Sequence, residues 1–134
     1  MDKNKLIPEL LVFNFQKCLH FYTQILGFTI EYDRPEKKFA KLSLQGNEIM
    51  INEKNGTWET GTLEYPLGRG INFQIKVDTV EPLLQALEEN KYPLYQKLEE
   101  NWYRKGNAEV GHKEFLVQDP DGYLLRFAED LGKK

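Results

Sequence analysis

The residue types that carry most protein chemistry are scarce in this chain. Its 134 residues include two histidines, His20 and His112, and one cysteine, Cys18. A metal site built from several His or Cys ligands is therefore nearly impossible, although carboxylates remain able to hold a hard cation. His112 precedes a predicted strand and is the one candidate for a general base, but no nucleophile or carboxylate is evident beside it. We therefore expect a surface or hydrogen-bonding role for His112 and predict no catalytic residue.

Composition narrows the class of protein further. A hydrophobic content of 40% over 134 residues is enough for one domain, 1–134, with a substantial core. The net charge of -3 comes without a basic stripe, which disfavours a nucleic-acid partner. No signal peptide and no long apolar run are visible, so we expect a cytoplasmic protein without a membrane partner. Cys18 is expected to be a reduced, buried thiol.

The spacing of apolar side chains predicts two helices. The first is expected over Phe15–Leu26, with Asn14 as its N-cap and Gly27 as its left-handed stop. The second is expected over about Thr79–Asn90, where Asp78 begins a pattern that resembles a capping box. One face of each helix should pack inward.

The remaining segments predict strands arranged in two equivalent modules. The eight strands are expected at Leu6–Phe13, Thr29–Asp33, Lys38–Leu44, Glu48–Glu53, Ile71–Val77, Leu94–Glu99, Lys113–Gln118 and Tyr123–Ala128. Turn signals stand at 45–47 and 119–122. The order strand, helix, three strands occurs twice, and Asp78 stands 64 positions after Asn14. The chain is thus predicted to be α+β, with modules at about 1–55 and 70–134 joined by loop 54–70. Each sheet should leave one concave face free for a ligand.

Two motifs in these modules resemble a known family. The segment 21–28 matches the pattern F-Y-x-x-x-L-G-F, and residues 114–123 end in the turn D-P-D-G-Y. Together with the repeat, they are similar to the vicinal oxygen chelate superfamily of glyoxalase I, fosfomycin-resistance transferases, extradiol dioxygenases and bleomycin-resistance proteins. The resemblance implies two tandem βαβββ modules that form a cupped, partly open mixed β-barrel.

The same resemblance implies where a metal would be bound. In the metal-using members the ligands lie at positions that correspond here to Ile7, Met50, Ile71 and Arg126. An alkyl chain, a thioether and a guanidinium do not suit a hard divalent cation, so we expect no metal and no cofactor.

A register shifted by one residue is the alternative. It would place Pro8 or Glu9 and Asn72 at two of these positions, with Phe127 or Leu125 in place of the usual glutamate. The ligand set would still be incomplete.

Among members without a metal, the bleomycin-resistance proteins are the most similar. Residues 111–115 lead into the D-P-D-G turn and a strand ending at 127–130, which resembles that family. The family resemblance implies a homodimer that sequesters the drug in two crevices without changing it. Its aromatic residue before the glycine is replaced by Val110, so Trp102 and Tyr103 are expected to supply stacking from a loop.

The implied register also predicts which side chains line the concave faces. These are Ile7, Glu9, Leu11, Glu48, Met50, Ile71, Phe73, Leu124 and Arg126. Arg126 either contacts the ligand or forms an ion pair with Glu9 or Glu114. The expected ligand-binding residues are Glu9, Leu11, Met50, Trp58, Phe73, Trp102, Tyr103, Val110, His112, Glu114 and Arg126. Trp58 and Tyr65 are expected at a rim or interface.

The function expected from this resemblance is antibiotic resistance through noncovalent sequestration of a bleomycin-type glycopeptide drug in clefts at a homodimer interface. On this interpretation the protein is not an enzyme. Two alternatives stay open: a metal-dependent enzyme of the same superfamily, and a binder of another hydrophobic small molecule.

Overall fold

The chain folds around two four-stranded mixed sheets, each accompanied by one α-helix. The computed structural model describes residues 4–134, which divide into two compact units. The first unit runs to Leu67 and includes Pro120–Gly122, and the second comprises Gly68–Asp119 and Tyr123–Lys134. The predicted α+β class and the βαβββ order are confirmed in both units.

The first sheet belongs to the first unit. Its strands are β1 (Glu9–Val12), β2 (Thr29–Arg34), β3 (Phe39–Leu44) and β4 (Asn47–Glu53), in the order β1-β4-β3-β2. Strand β1 is parallel to β4, and the other pairs are antiparallel. Helix α1 (Phe15–His20) continues as a π-helix over Phe21–Ile25, and a 3₁₀ turn covers Pro35–Lys37.

The second sheet repeats this arrangement. Its strands are β5 (Asn72–Lys76), β6 (Gln96–Lys105), β7 (Ala108–Gln118) and β8 (Leu124–Lys133), in the order β5-β8-β7-β6, and helix α2 covers Glu81–Glu89. Strand β5 is parallel to β8. Each sheet ends in two edge strands, so neither closes into a barrel.

One face of each sheet forms the core of its unit. On the core face of the first sheet the buried residues are Leu10, Val12, Ala40, Leu42, Ile49 and Ile51, and the helical segment adds Phe15, Cys18, Phe21 and Tyr22. The second sheet buries Ile75, Phe115, Val117, Leu125 and Phe127 in the same way, with Val77 just after β5 and with Leu83 and Leu87 from α2. Because successive strand residues point to opposite faces, this burial leaves the other face of each sheet to polar and aromatic side chains.

The first helix begins as predicted but changes its form. The Asn14 side chain accepts from the Lys17 N–H at 3.0 Å, and Gly27 takes the left-handed stop at φ 84°. A single α-helix to Leu26 was expected, whereas the Leu26 N–H bonds to Phe21 O, five residues back. This i→i+5 hydrogen bonding makes the last turn π-helical.

The second helix begins without the predicted capping box. It starts at Glu81, and Val80 precedes it with no side-chain cap. The Val80 N–H instead donates to a Glu129 carboxylate oxygen at 3.1 Å. This contact joins residues 49 positions apart, which sequence spacing does not reveal.

Strand lengths also differ from the prediction. The first strand begins at Glu9 and not at Leu6, because Pro8 has no N–H to donate and offers only its carbonyl, which accepts from Met50. Three strands of the second sheet are longer than predicted. Strand β6 continues to Lys105, β7 begins already at Ala108, and β8 continues to Lys133. The polar composition of 100–112 indicated a loop, but cross-strand pairing makes this segment a hairpin.

Two features expected from the composition concern the state of Cys18 and the presence of a membrane-spanning helix. Cys18 is buried and forms no disulfide, as predicted, and its Sγ lies 3.2 Å from Asp121 Oδ2. Within residues 4–134, no helix combines the length and apolar character that crossing a membrane requires.

Candidate functional site

The open face of the first sheet carries two rows of side chains that strand register places next to one another. One row contains Leu11, Asn52, Phe39 and Arg34, and the next contains Glu9, Met50, Lys41 and Tyr32. Each row crosses all four strands, so residues far apart in sequence share one surface.

Arg34 lies over two aromatic rings on this face. Its Cζ is 4.9 Å from the Phe39 ring centroid and 5.5 Å from that of Tyr32. Lys41 Nζ approaches the Tyr32 ring at 5.8 Å. A guanidinium over aromatic faces is held by cation–π attraction and presents its own outer face as a flat, charged plate.

Lys41 is held by acidic neighbours. Its Nζ lies 3.1 Å from Glu48 Oε2 and 3.8 Å from Glu31 Oε1. The hydrogen bond to Glu48 raises the pKa of Lys41, and hydrogen bonds from Asn4 and Lys41 lower the pKa of Glu48. Lys41 is thus a paired cation that stays charged.

Asn52 is anchored by both hydrogens of its amide. Its Nδ2 donates to Lys37 O and to Lys38 O, each at 3.0 Å, and the residue is 7% exposed. These bonds connect β4 to the turn before β3 and fix the side chain in one orientation.

A cavity of about 1000 Å³ opens over this face. The lining residues that matter for recognition are Glu9, Tyr32, Arg34, Phe39, Met50, Asn52 and Trp58. Trp58 is 73% exposed and belongs to a loop in which Glu59 accepts from the Gly56 N–H at 2.8 Å. The cavity therefore combines aromatic walls, a thioether and groups of both charges, which suits an organic ligand with a planar part.

Three of the predicted ligand-binding residues, Glu9, Met50 and Trp58, line this cavity. Leu11 shares the open face by register, but it is 6% exposed and does not contribute to the lining. Sequence reasoning missed Tyr32, Arg34, Phe39 and Asn52. Tyr32 lies in the predicted strand Thr29–Asp33 and Arg34 directly follows it, two positions on, which was the available signal, whereas nothing local marked Asn52.

The open face of the second sheet holds a hydrogen-bond network centred on Glu114. This carboxylate is 2% exposed and accepts from Arg126 Nη1 at 3.3 Å, from Asn101 Nδ2 at 3.0 Å and from the Tyr103 hydroxyl. Arg126 Nε donates to Asn72 Oδ1 at 3.2 Å. Of the alternatives for Arg126, the ion pair with Glu114 is present. The hydrogen bond to Glu114, burial and the negative charge of Glu114 together raise the pKa of Tyr103.

The sequence indicated that His112 precedes a strand, but the residue lies within β7. It is 8% exposed, and its Nε2 is 3.2 Å from Asp130 Oδ1. The same Asp130 oxygen also forms an ion pair with Lys76 Nζ at 3.4 Å. Among the described residues no group bonds to His112 Nδ1. His112 is therefore buried and not at the surface, its contact with Asp130 is at ion-pair distance, and a hydrogen-bonding role stays a prediction.

Two positions in the predicted concave set are wrong by register. Asn72 pairs with Leu124 across the parallel strands, so Asn72 and not Ile71 lies beside Arg126. Phe73 pairs with Leu125, which is 1% exposed in the core, so Phe73 is on the face opposite Arg126. The one-residue shift weighed as an alternative therefore applies to β5.

Trp102 and Tyr103 are on a strand, not on a loop, and point to opposite faces. Tyr103 pairs with Val110 and reaches Glu114, whereas Trp102 pairs with Gly111 on the other face. A Cβ built on Gly111 would be 2.7 Å from three Trp102 ring atoms, and Lys134 Nζ lies 4.3 Å from that ring. Trp102 and Tyr103 cannot both stack on one ligand from one face.

The residues at the family's metal positions do not fit a metal. The first unit offers Ile7 and Met50, and the second offers Asn72 and the guanidinium of Arg126, which is already paired with Glu114. Within residues 4–134, no group of three or more His, Cys, Asp and Glu side chains is placed to hold an ion. A fixed positive charge and an alkyl chain at these positions oppose cation binding.

Comparison with known proteins identifies the class. The model of the Glyoxalase/Bleomycin resistance protein/Dioxygenase superfamily matches residues 7–127, and the chain belongs to this superfamily. A superfamily member from Vibrio splendidus 12B01 is 37% identical, with 92% of this chain and 95% of that chain covered and a TM-score of 0.43.

Two further solved structures share the fold at lower identity. TioX from Micromonospora sp. ML1 is 19% identical, with 96% of this chain and 99% of that chain covered and a TM-score of 0.70. The genomically encoded fosfomycin resistance protein FosX from Listeria monocytogenes is 18% identical, with 97% and 94% covered and a TM-score of 0.63. Comparison with curated proteins gave no match.

Proposed function

We propose that this protein binds a bleomycin-type glycopeptide drug noncovalently and confers resistance by sequestering it. The observation that carries the proposal is the cavity of about 1000 Å³ over the first sheet, with Tyr32, Phe39, Met50 and Trp58 in its walls. Aromatic and thioether walls suit the planar heteroaromatic part of such a drug. Recognition of this kind needs no acid, base or nucleophile.

The chemistry of the family's metal positions supports binding over catalysis. Ile7 and Met50 offer no hard donor, and Arg126 is committed to Glu114 and Asn72. A protein that retains the fold but lacks these ligands keeps the concave surface and loses the means to activate a chelated oxygen.

Isothermal titration calorimetry with bleomycin tests the proposal. We expect saturable heat with about one drug per chain and quenching of Trp58 fluorescence. Replacing Trp58 by Leu should weaken binding about tenfold, because an exposed indole that stacks on a ring contributes roughly 1–2 kcal/mol. Tyr95→Leu is the matched control, since Tyr95 is an aromatic residue that is 62% exposed, belongs to the other unit and does not line the cavity. Absence of heat at high protein concentration would refute drug binding.

The same proposal includes a homodimer and a cytoplasmic location. Light scattering after size-exclusion chromatography tests the homodimer, with a mass near twice 15.8 kDa expected.

Metal analysis of the purified protein addresses the enzymatic alternative. Stoichiometric nickel, zinc or manganese, with activity restored by adding the ion, would favour that alternative.

A further inference from the structure

Asn52 has an acceptor that the fold leaves unused. Both hydrogens of its Nδ2 bond to carbonyl oxygens, Lys37 O and Lys38 O, so the amide cannot be turned around without setting oxygen against oxygen. The position of Oδ1 is therefore fixed. Among the described residues, none donates to Oδ1, although Asn52 is 7% exposed.

Asn52 is one of the residues that line the cavity, and its Oδ1 keeps some solvent access, since His112 Nδ1 is the only fully buried side-chain atom without a partner among the described residues. A fixed, nearly buried acceptor discriminates strongly between ligands, because a ligand that covers it without donating a hydrogen leaves it unsatisfied. By contrast, the nearby cation Lys41 is already paired with Glu48.

Arg34 complements Asn52 along the same row of the sheet. Asn52 pairs with Phe39 on β3, and Phe39 pairs with Arg34 on β2. Two strand spacings separate the backbone positions of Asn52 and Arg34, about 10 Å in all. Among the described residues no carboxylate pairs with Arg34, whose guanidinium lies over Phe39 and Tyr32.

We infer that Asn52 is a specificity-determining residue that accepts a hydrogen bond from the N–H of a planar heteroaromatic carboxamide. The far end of this ligand stacks on the Arg34 guanidinium or accepts a hydrogen bond from it. The inference rests on the proposed function, because it specifies the chemical class of ligand at the same cavity. Such a ligand carries a hydrogen-bond donor at one end and, about two ring lengths away, an acceptor or a flat ring. These two ends match Asn52 and Arg34, at the two ends of the row. A ligand without an N–H is disfavoured at Asn52.

A matched pair of small probes tests the assignment: a bithiazole carboxamide and its N,N-dimethyl analogue, which lacks the N–H. The wild-type chain should bind the N–H compound about tenfold or more tightly, as expected when a near-buried acceptor is left unpaired. In Asn52→Leu the two affinities should become equal within about twofold. Asn107→Leu, on an exposed turn in the other unit, should keep the preference.

Thermal denaturation and circular dichroism show whether Asn52→Leu folds, because this variant also loses two bonds to the 35–38 turn. The wild-type preference stands independently of that variant. Equal binding of both probes, no binding of the carboxamide at millimolar concentration, or a preference that survives in folded Asn52→Leu would overturn the inference. Failure of bleomycin to bind while the probe preference persists would remove only the drug assignment. Binding of bleomycin without a probe preference would remove only the role of Asn52.

Discussion

Arg126 and Glu114, twelve residues apart in sequence, form an ion pair across neighbouring strands, with Nη1 3.3 Å from Oε2. Glu114 is 2% exposed. Its carboxylate also accepts from Asn101 and Tyr103. The pair therefore joins β7 to β8 and is the centre of a hydrogen-bond network on the second sheet.

Removing the Glu114 carboxylate should strongly destabilise the second unit. Glu114→Ala leaves the Arg126 cation without its partner and removes the acceptor of Asn101 and Tyr103, at an expected cost of about 3–5 kcal/mol in unfolding free energy. Urea denaturation measures the change. Glu109→Ala, an exposed glutamate on the same strand, should stay within about 0.5 kcal/mol of wild type. Equal losses in both variants would contradict the role assigned to Glu114.

Tyr103→Phe should remove a pH-dependent contribution to stability. The folded-state pKa of Tyr103 is raised above its ordinary value of 10.0 by the bond to Glu114. A raised pKa means that the contribution is complete below pH 10.0 and is lost as the pH rises through the folded-state value. Because Tyr103 is 41% exposed and solvent screens the interaction, we expect a loss of only about 0.5–1 kcal/mol at neutral pH, which shrinks in alkali.

Denaturation at several pH values, together with phenolate absorbance, measures this effect. Tyr95→Phe is the control, since Tyr95 is 62% exposed. A stability difference between wild type and Tyr103→Phe that does not change in alkali would argue against the bond.

Glu53→Ala should weaken the start of α1 in a manner that depends on acid. Glu53 Oε2 accepts from the Phe15 N–H at 3.0 Å and Oε1 from Lys38 at 3.0 Å, and these contacts lower its pKa from 4.5. The contribution is therefore present above pH 4.5 and is lost as the pH falls through the lowered value. Since Glu53 is partly exposed, we expect about 1 kcal/mol at neutral pH.

Acid titration of stability checks this prediction. The difference between wild type and Glu53→Ala should narrow as the pH decreases. The control Glu64→Ala, at an exposed loop position, should follow the wild-type curve. A difference that widens in acid would mean that Glu53 is stabilised in its protonated form.

Gly111→Ala should destabilise the chain through a clash with Trp102. The added Cβ would be 2.7 Å from three ring atoms, and the indole must move or the strands must separate, at about 1–3 kcal/mol. In a Trp102→Ala background the cost of Gly111→Ala should largely disappear, as a double-mutant cycle by thermal denaturation would show. Gly61→Ala meets nothing within 4 Å and should be neutral. An undiminished cost in the Trp102→Ala background would indicate a backbone effect.

Local patterns predicted much of the fold. Apolar spacing and the Asn14 cap placed α1, alternation placed most strands, and the repeat of Asn14 and Asp78 predicted two equivalent modules. Predictions failed where a distant partner decided the outcome. The Glu129 carboxylate accepts from Val80 just before α2, and pairing with Val110 makes Tyr103 a strand residue.

The candidate site was predicted only in part for the same reason. The scarcity of His and Cys in the sequence made a His- or Cys-rich metal centre nearly impossible, the polar loop around Trp58 predicted a position at a rim, and the family resemblance singled out Met50 and Arg126. Strand register then decided their surroundings, because a slip of one residue turns a side chain to the other face. Only the tertiary structure brings Asn52 beside Phe39 and Arg34 and pairs Arg126 with Glu114, since hydrogen bonds across strands join residues that no local pattern connects.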